Sequence, residues 1–278
     1  MTKVIQYNYP TPSRCIVWGA TRKPSIKVKN MKTKLLTTRI LVVLGLILAF
    51  SAGRAAALQL YTVPATANIY SAGLSSPVAP GGSGAGTLPV FIPVSAGQSA
   101  FQFAASGSIT ENNWGGSGGV YHGPDGGIIA GVTVYGYGGL SGFNSDLCLP
   151  LAGVFLTDSA PQDPAPPSLD FSSQGLGLDF LTLSPLIGQV FFIGDGQTSG
   201  GLTQIFNTPA GATRVYLGCP DTPFGNGYPG AYDDNSGTLN VGVMAVPEPG
   251  IGVFSIALAA LFLVRRQAGS ARERLPIK

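Results

Sequence analysis

Glycine and proline recur through this chain at a density that disfavours a helical bundle. They supply 40 and 22 of its 278 residues. Both interrupt helices, glycine through the freedom of its backbone and proline through its missing amide hydrogen. Hydrophobic residues nevertheless make up 45% of the chain, and they fall in short runs between the glycines and prolines. Short apolar runs divided by turn residues predict an all-β fold.

Eight strands are predicted in the middle of the chain, where no stretch has helical periodicity. The last of them alternates most clearly, with Leu239, Val241 and Val243 on one face. The segment 194–196, Gly-Asp-Gly, is predicted to be a turn between two strands. The predicted strands span 101–105, 128–137, 149–157, 178–183, 190–193, 202–206, 213–217 and 238–245. Many short strands of this kind indicate a β-sandwich or a jelly roll.

The predicted β-rich middle of the chain has two parts. Residues 58–100 are expected to form an N-terminal strand followed by a loop rich in glycine, serine and proline, and 101–245 to form the β-sandwich. The composition of 72–87 predicts a loose loop. Four prolines in 158–168 predict a long exposed loop.

The charges are segregated along the chain. Of the 16 Lys and Arg residues, ten precede residue 55 and five follow residue 264, which leaves Arg214 alone between them. Eleven of the 13 acidic residues lie in 58–245. One basic and eleven acidic residues give this segment ten net negative charges. An acidic body repels phosphates, which disfavours nucleic-acid binding, and it makes a cation site electrostatically favourable.

Residues 31–57 have the order of a secretory signal peptide. A basic start precedes the apolar run 40–50, and Ala55 and Ala57 provide the small residues of a cleavage site. The run is too short to span about 30 Å of hydrocarbon, which disfavours the alternative of an uncleaved anchor helix. Residues 1–30 are interpreted as an upstream extension ahead of the true start.

The C-terminal end has three parts in order, namely the motif 246–250, the apolar run 251–264 and the basic tail 265–278. The motif begins with Val246, Pro247, Glu248 and Pro249. This order resembles the PEP-CTERM sorting signal of Gram-negative bacteria. The resemblance implies export through the inner membrane, a transient transmembrane helix and processing by an exosortase-type enzyme. It also implies delivery to the cell surface or extracellular matrix, whereas the alternative is a plain C-terminal anchor.

The glycine-rich segment 221–237 concentrates oxygen-bearing side chains. They belong to Asp221, Asp233, Asp234 and Asn235. Calcium takes six to eight hard oxygen ligands in a flexible shell, and the adjacent Asp233 and Asp234 repel each other unless a cation or solvent screens them. The residues by themselves fit either a calcium loop or a solvated hairpin turn, because Asp, Asn and Gly dominate turns.

Two stretches, PAGATRVYLG (209–218) and YPGAYDDNSG (228–237), resemble the end of the bacterial galactophilic calcium lectin family (PA-IL-like). The resemblance implies a galactose-binding-like β-sandwich in which Ca²⁺ directly holds two sugar hydroxyls. It therefore implies calcium as a cofactor and exopolysaccharide or galactose-like sugars as partners.

The lectin resemblance also assigns ligands by position. Asp234 and Asn235, beside Asp233, match the adjacent side-chain ligands, and Ala231 matches a backbone carbonyl ligand. Asp221 matches an upstream aspartate that directly precedes the Pro-Gly turn in the family. In this chain the insertion 222–228 separates the two.

Other sugar and metal contacts are expected from earlier in the chain. The resemblance places a further carbonyl ligand near Thr110. The stretch YHGPDG (121–126) resembles a sugar-contacting His-Pro-Asp loop and assigns that role to His122 and Asp125. Aromatic rings could stack on sugars, although such residues more often belong to a sandwich core or strand surface. These rings are Trp114, Tyr121, Tyr135 and Tyr137.

Catalysis is not expected from this sequence. His122 is the one histidine, and no nucleophile elbow or paired-histidine motif accompanies it. Cys148 and Cys219 survive signal removal, and an oxidising compartment permits a disulfide between them. The alternatives are two buried thiols or one reactive thiol. The alternatives to sugar binding are a structural matrix protein that has lost its ligand and, with less support, a hydrolase acting on polysaccharide.

Overall fold

The computed structural model describes residues 58–111, 119–127 and 131–247. This part of the chain contains two short 3-10 helices, Ile69–Ser71 and Pro223–Gly225, and thirteen strands. The strands are β1 (Gln59–Pro64), β2 (Val90–Pro93), β3 (Gln98–Thr110), β4 (Val132–Val134), β5 (Phe143–Ser145), β6 (Ala152–Leu156), β7 (Leu169–Phe171), β8 (Thr182–Leu183), β9 (Val190–Phe192), β10 (Ile205–Asn207), β11 (Arg214–Gly218), β12 (Asn226–Gly227) and β13 (Ser236–Pro247). The predicted all-β class is confirmed.

The strands form three sheets. Their orders are β1-β13-β3-β10-β8, β2-β11-β6-β9 and β12-β4-β5-β7. The longest pairing joins β3 and β13, which run antiparallel with Thr110 opposite Ser236 at one end. β1 lies along the other side of β13, and β2 pairs with β11. The predicted N-terminal segment therefore contributes strands to two of the sheets.

Aromatic side chains hold the five-stranded sheet and the β2-β11-β6-β9 sheet face to face. The ring of Phe101 on β3 lies 5.7 Å from that of Phe155 on β6, and Phe206 on β10 lies 5.5 Å from Phe191 on β9. All four side chains are buried, and Phe171 of the third sheet belongs to the same core cluster. The sheets thus pack in a sandwich-like arrangement, stabilised by the removal of large apolar surfaces from water.

The alternation predicted for the last strand is confirmed over 239–241, whereas Gly242, predicted on the polar face, is buried as well and Ala245, predicted on the apolar face, is half-buried. Leu239, Val241 and Val243 are buried, while Asn240 between them is exposed. The turn predicted at 194–196 is also present, closed by a hydrogen bond from the amide of residue 196 to the carbonyl of residue 193. Period-2 patterns and Gly-Asp-Gly turns are local signals, so the sequence carries them directly.

Strand limits depart from the predictions where pairing continues beyond the apolar residues. β3 extends to Thr110 because its small and polar residues still pair with β13. The run predicted at 128–137 yields only β4 within the described residues, and that at 178–183 yields only β8. No strand was predicted at β2, β5, β7 or β12, since each is too short to show a period.

The loop predicted to be loose, 72–87, is tied to the domain. The side-chain amide of Asn68 donates hydrogen bonds to the carbonyls of Val78 (2.7 Å) and Ala85 (3.1 Å). The hydroxyl of Ser71 accepts one from the amide of Val78 (3.0 Å). A buried asparagine thus adds side-chain hydrogen bonds to the backbone bonds of the loop, such as that from the amide of Thr87 to the carbonyl of Thr66 (2.8 Å), and composition alone could not indicate this. The loop at 158–168 is largely exposed, as predicted.

Most of the targeting predictions lie outside the described residues. The signal peptide with its cleavage site falls in 1–57, and Glu248, Pro249 and the predicted transmembrane helix fall in 248–278. Val246 and Pro247 are the last residues of β13. Within the part of the chain that the structure describes, no helix has the length and apolar character needed to cross a membrane.

Two glycines with the same backbone angle test the packing between strands. Gly196 and Gly211 both have φ of +84°, but a Cβ on Gly196 would collide with the carbonyl oxygen of Phe103, whereas a Cβ on Gly211 would meet nothing within 4 Å. We expect Gly211→Ala to lower the free energy of unfolding by about 1–2 kcal/mol through backbone strain. Gly196→Ala should cost about 1–3 kcal/mol more through overpacking. Urea denaturation measures both, and equal losses would contradict this account.

Candidate functional site

The candidate site lies where β3 ends and β13 begins. The antiparallel register sets Thr110 opposite Ser236, so Glu111 and Asn235 are the residues next to this pair. The hydroxyl oxygen of Tyr121 lies 3.1 Å from that of Ser236. Three segments that are distant in the sequence therefore meet at one end of the long strand pair.

The inserted segment 222–228 closes on itself and leaves Asp221 beside the Pro-Gly turn. The hydroxyl of Thr222 donates to the carbonyl of Tyr228 (2.7 Å), which joins the two ends of the insertion. The amide of Gly230 then donates to the carbonyl of Asp221 (3.1 Å). The separation seen in the sequence is therefore not a separation in space.

Asp221 and Asn235 form a buried polar pair. Their side chains are joined by a hydrogen bond of 2.7 Å from Asn235 Nδ2 to Asp221 Oδ2, and the residues are only 8% and 6% exposed. The other carboxylate oxygen accepts from the amide of Thr222 (2.7 Å). Asn235 Oδ1, by contrast, is buried with no hydrogen-bond partner. A buried oxygen without a partner is costly, and a cation beside the carboxylate would satisfy it.

The electrostatics of this region are those of crowded negative charge. Burial raises the pKa of the Asp221 carboxyl well above its ordinary value, and the charges of Asp234 and Glu111 raise it further. Burial, followed by the charges of Asp233 and Glu111, likewise raises the pKa of Asp234. The one ion pair among the described residues joins Glu111 to His122. The site thus has a deficit of positive charge.

The 72–87 loop lies against the outer side of this region. The amide of Gly81 donates to the carbonyl of Pro229 (2.8 Å), and the amide of Ala231 donates to the carbonyl of Gly82 (3.0 Å). Ala231 has a left-handed φ of +67°, a conformation that a non-glycine residue adopts at a cost and keeps only when its surroundings impose it. Asp233 is exposed at the rim.

The ring of Tyr232 fixes the base of the segment. The side chain is fully buried, and its hydroxyl accepts from the amide of Asp221 (3.1 Å) and donates to the carbonyl of Cys219 (2.9 Å). The phenol thereby links the end of β11 to the segment before β13. This link sets the distance between Asp221 and the later ligand candidates.

His122 and Asp125 are engaged within the protein. His122 Nε2 lies 2.8 Å from Glu111 Oε2, its Nδ1 lies 3.0 Å from the carbonyl oxygen of Gly123, and its side chain is only 9% exposed. Asp125 Oδ1 accepts from the amide of Asp195 (2.8 Å) and so supports the 194–196 turn. Their contacts with sugar stay predictions, and the geometry offers little free polar surface for them.

The alternative of a disulfide between Cys148 and Cys219 is wrong for this structure, in which neither cysteine is in a disulfide. Cys219 is buried and its backbone bridges to Asn68. Cys148 bridges instead to Gly127, and its thiol donates to Glu111 Oε1 (2.9 Å). Different backbone partners thus hold the two thiols. Burial raises the pKa of the Cys219 thiol, so it stays protonated and unreactive.

Two residues at the site were missed by sequence reasoning. Glu111 follows a strand that was predicted to end at residue 105, and only the register of β3 brings it to the site. Tyr232 lies inside the YPGAYDDNSG stretch (228–237), but that resemblance assigned it no role, and its hydrogen bonds to Asp221 and Cys219 depend on the tertiary structure. The signal that was available for Glu111 is the run of small residues after residue 105, because a β3 strand extended through them would have ended next to Glu111.

Neither a scan against protein-family models nor a search of the curated proteins finds a match for this chain.

The raised pKa of Asp221 predicts a pH dependence of stability in metal-free buffer. The folded protein holds this proton to a higher pH than the unfolded chain does, so the free energy of unfolding should fall as pH rises from the ordinary aspartate range through the raised pKa. For one proton the slope is at most about 1.4 kcal/mol per pH unit. Asp221→Asn should remove this component and be the more stable protein at neutral pH.

The matched control for this titration is Asp158→Asn, the same change on the exposed 158–168 loop. Urea denaturation between pH 4 and pH 8 should give it the pH profile of the parent. A parent and an Asp221→Asn variant with parallel profiles would contradict the burial of a charged group at this position.

Proposed function

We propose that the described domain is a calcium-dependent carbohydrate-binding module of the galactose-binding-like β-sandwich type. The observation that carries the proposal is the unpartnered, buried Asn235 Oδ1 beside the buried carboxylate of Asp221. A hard divalent cation supplies the missing positive charge and accepts both oxygens as ligands. A solvated hairpin turn would instead expose these atoms to water.

The ligand set combines side chains with backbone. Asp221 and Asn235 would provide the inner side-chain oxygens, Asp234 the third, and Ala231 a backbone carbonyl. Asp233, at the exposed rim, would add negative charge. Bound calcium supplies a Lewis-acidic centre with coordination positions that vicinal sugar hydroxyls can complete. The protein residues hold that centre in place and shape its exposed side.

The setting of this module fits an exported protein. The described residues contain one basic side chain, Arg214, among many acidic ones, so the domain attracts cations and is not suited to nucleic acid. The order of the C-terminal motif, apolar run and arginines is that of a PEP-CTERM signal. The proposed path is export, transient anchoring, processing by an exosortase-type enzyme and residence at the cell surface or in the exopolysaccharide.

Exposed aromatic rings flank the proposed calcium ligands. Tyr228, in the segment 221–237, and Tyr135, beside β4, are 51% and 45% exposed, and their rings meet edge to face at 5.5 Å. Tyr121 is exposed on the side of Ser236, to which its hydroxyl is joined. Exposed rings that present an apolar face and a polar tip are suited to sugar stacking. We propose that the sugar ring stacks either on the Tyr228 and Tyr135 pair or on Tyr121.

Calcium binding is tested by thermal and chemical denaturation of the purified domain with and without CaCl₂. Calcium at a hundredfold excess over its Kd should raise the free energy of unfolding by about 2.7 kcal/mol. Asp221→Asn should abolish this gain while retaining the fold without metal. Asp158→Asn should keep the gain in full.

A domain that folds but shows neither heat on calcium titration nor a shift in Tm would overturn the metal proposal. That result would favour the alternative of a structural matrix protein with the same sandwich. A gain in stability that survives Asp221→Asn would also contradict the assignment, because it would place the metal elsewhere.

Sugar binding is tested by isothermal titration of the calcium-loaded domain with galactose and with exopolysaccharide. Tyr228→Ala or Tyr121→Ala should weaken binding by about 1 kcal/mol through loss of stacking. Phe91→Ala is the control. It removes an exposed ring from β2, in the β2-β11-β6-β9 sheet, and should have no effect. Binding that is indifferent to both tyrosines and to removal of calcium would contradict the proposed site.

A further inference from the structure

Three side chains with metal-binding chemistry converge beside the proposed calcium site. Glu111, His122 and Cys148 each offer one ligand atom, and these atoms all lie within 4.8 Å of one another. The carboxylate is central, with Oε2 2.8 Å from His122 Nε2 and Oε1 2.9 Å from Cys148 Sγ. The proposed calcium ligands and the predicted sugar contacts make no use of this combination.

The backbone holds these three residues in place before any metal binds. His122 exchanges two hydrogen bonds with Ile109 (2.9 and 3.0 Å), two residues before Glu111 on the same segment. Cys148 exchanges two with Gly127 (2.9 and 3.0 Å). Backbone hydrogen bonds thus join the 119–127 segment to the end of β3 and to the connection from β5 to β6. Ligands on segments that backbone hydrogen bonds already hold together need little reorganisation when a metal binds.

One glycine leaves the space that the cluster needs. A Cβ on Gly127 would meet His122 Cδ2 at 2.7 Å and Cys148 Sγ at 2.9 Å. The glycine therefore lets the imidazole and the thiol approach each other across the strand bridge. The Glu111 side chain is 27% exposed, which leaves a route for an ion from solvent.

We propose that Glu111, His122 and Cys148 form a zinc site with one glutamate oxygen, one imidazole nitrogen and one thiolate as protein ligands and water as the fourth ligand. Thiolate and imidazole select a borderline-soft cation such as Zn²⁺, whereas calcium takes oxygen ligands. The site thus goes beyond the proposed calcium function and is chemically distinct from it.

The distances suit this assignment. Zinc bonds of about 2.0–2.3 Å in a tetrahedron place neighbouring ligand atoms roughly 3.3–3.8 Å apart. The two present separations involve different carboxylate oxygens, Oε2 to His122 Nε2 (2.8 Å) and Oε1 to Cys148 Sγ (2.9 Å), and both are hydrogen-bond distances. One glutamate oxygen, the imidazole nitrogen and the sulfur lie within 4.8 Å of one another, so shifts of about 1–1.5 Å bring them to tetrahedral spacing.

The proton balance is simple. Binding breaks the S–H bond of Cys148, the proton leaves to solvent, and the thiolate pair forms the bond to zinc. His122 likewise releases the proton on Nε2 to solvent, and the freed lone pair binds zinc. It keeps the hydrogen on Nδ1, which it donates to the carbonyl of Gly123 at 3.0 Å. A carbonyl that accepts from the second nitrogen of a ligand histidine orients the ring and raises its basicity.

The test uses the full chain in mild detergent with Cys15→Ser and a phosphine reductant, and Co²⁺ as the spectroscopic probe. We expect thiolate-to-cobalt charge-transfer absorption that Zn²⁺ removes by displacement. Cys148→Ser should abolish the absorption. Cys219→Ser is the matched control and should retain it. His122→Gln should weaken zinc binding at least about tenfold.

A second measurement needs no substitution at the site. Zinc should slow the alkylation of Cys148 by iodoacetamide several-fold, as mapped by mass spectrometry. A fully denatured sample should lose that protection. Absence of charge-transfer absorption in the reduced chain, or absorption that survives Cys148→Ser, would overturn the zinc site. Asp221→Asn should leave cobalt absorption intact, so failure of the calcium site and failure of the zinc site are read separately.

Discussion

The antiparallel pairing of β3 with β13 is the constraint on which both proposed sites depend. The two strands have 13 and 12 residues, and their register sets Thr110 opposite Ser236. This places Glu111 and Asn235 in the same region. A slip of one residue would turn every side chain of one strand to the opposite face. The buried Val241 and Val243 oppose such a slip, because it would expose them to water.

A shortage of positive charge then determines the chemistry of that region. Arg214 is the one Lys or Arg between the two basic ends of the chain, and its guanidinium donates to the carbonyls of Thr157 and Ser159. The carboxylates at the end of β3 and before β13 therefore have no lysine or arginine as counter-ion among the described residues. Apart from His122, which pairs with Glu111, the proposed metal ions would supply the positive charge. Oxygen ligands favour calcium, and nitrogen and sulfur ligands favour zinc.

Local patterns predicted the parts of the fold that local physics determines. The all-β class, the alternating β13 and the turn at 194–196 follow from strand period and turn chemistry. Strands as short as β12 have no period to detect. The 72–87 loop has the composition of a flexible segment, and its order depends on Asn68, whose partners lie 10 and 17 residues away. Asp221 was assigned by resemblance, but only the closed insertion explains how it reaches its partner.

The order of the amino acids was enough to predict the all-β fold class, the segregation of charge and the concentration of oxygen-bearing residues in 221–237. Tertiary structure decided that Asp221 contacts Asn235, 14 residues away, and that Cys148 reaches Glu111, 37 residues away. The reason is that periodicity reports which face of a strand is buried, whereas it does not report which strand lies alongside. Contacts between distant strands exist only once the sheets have formed.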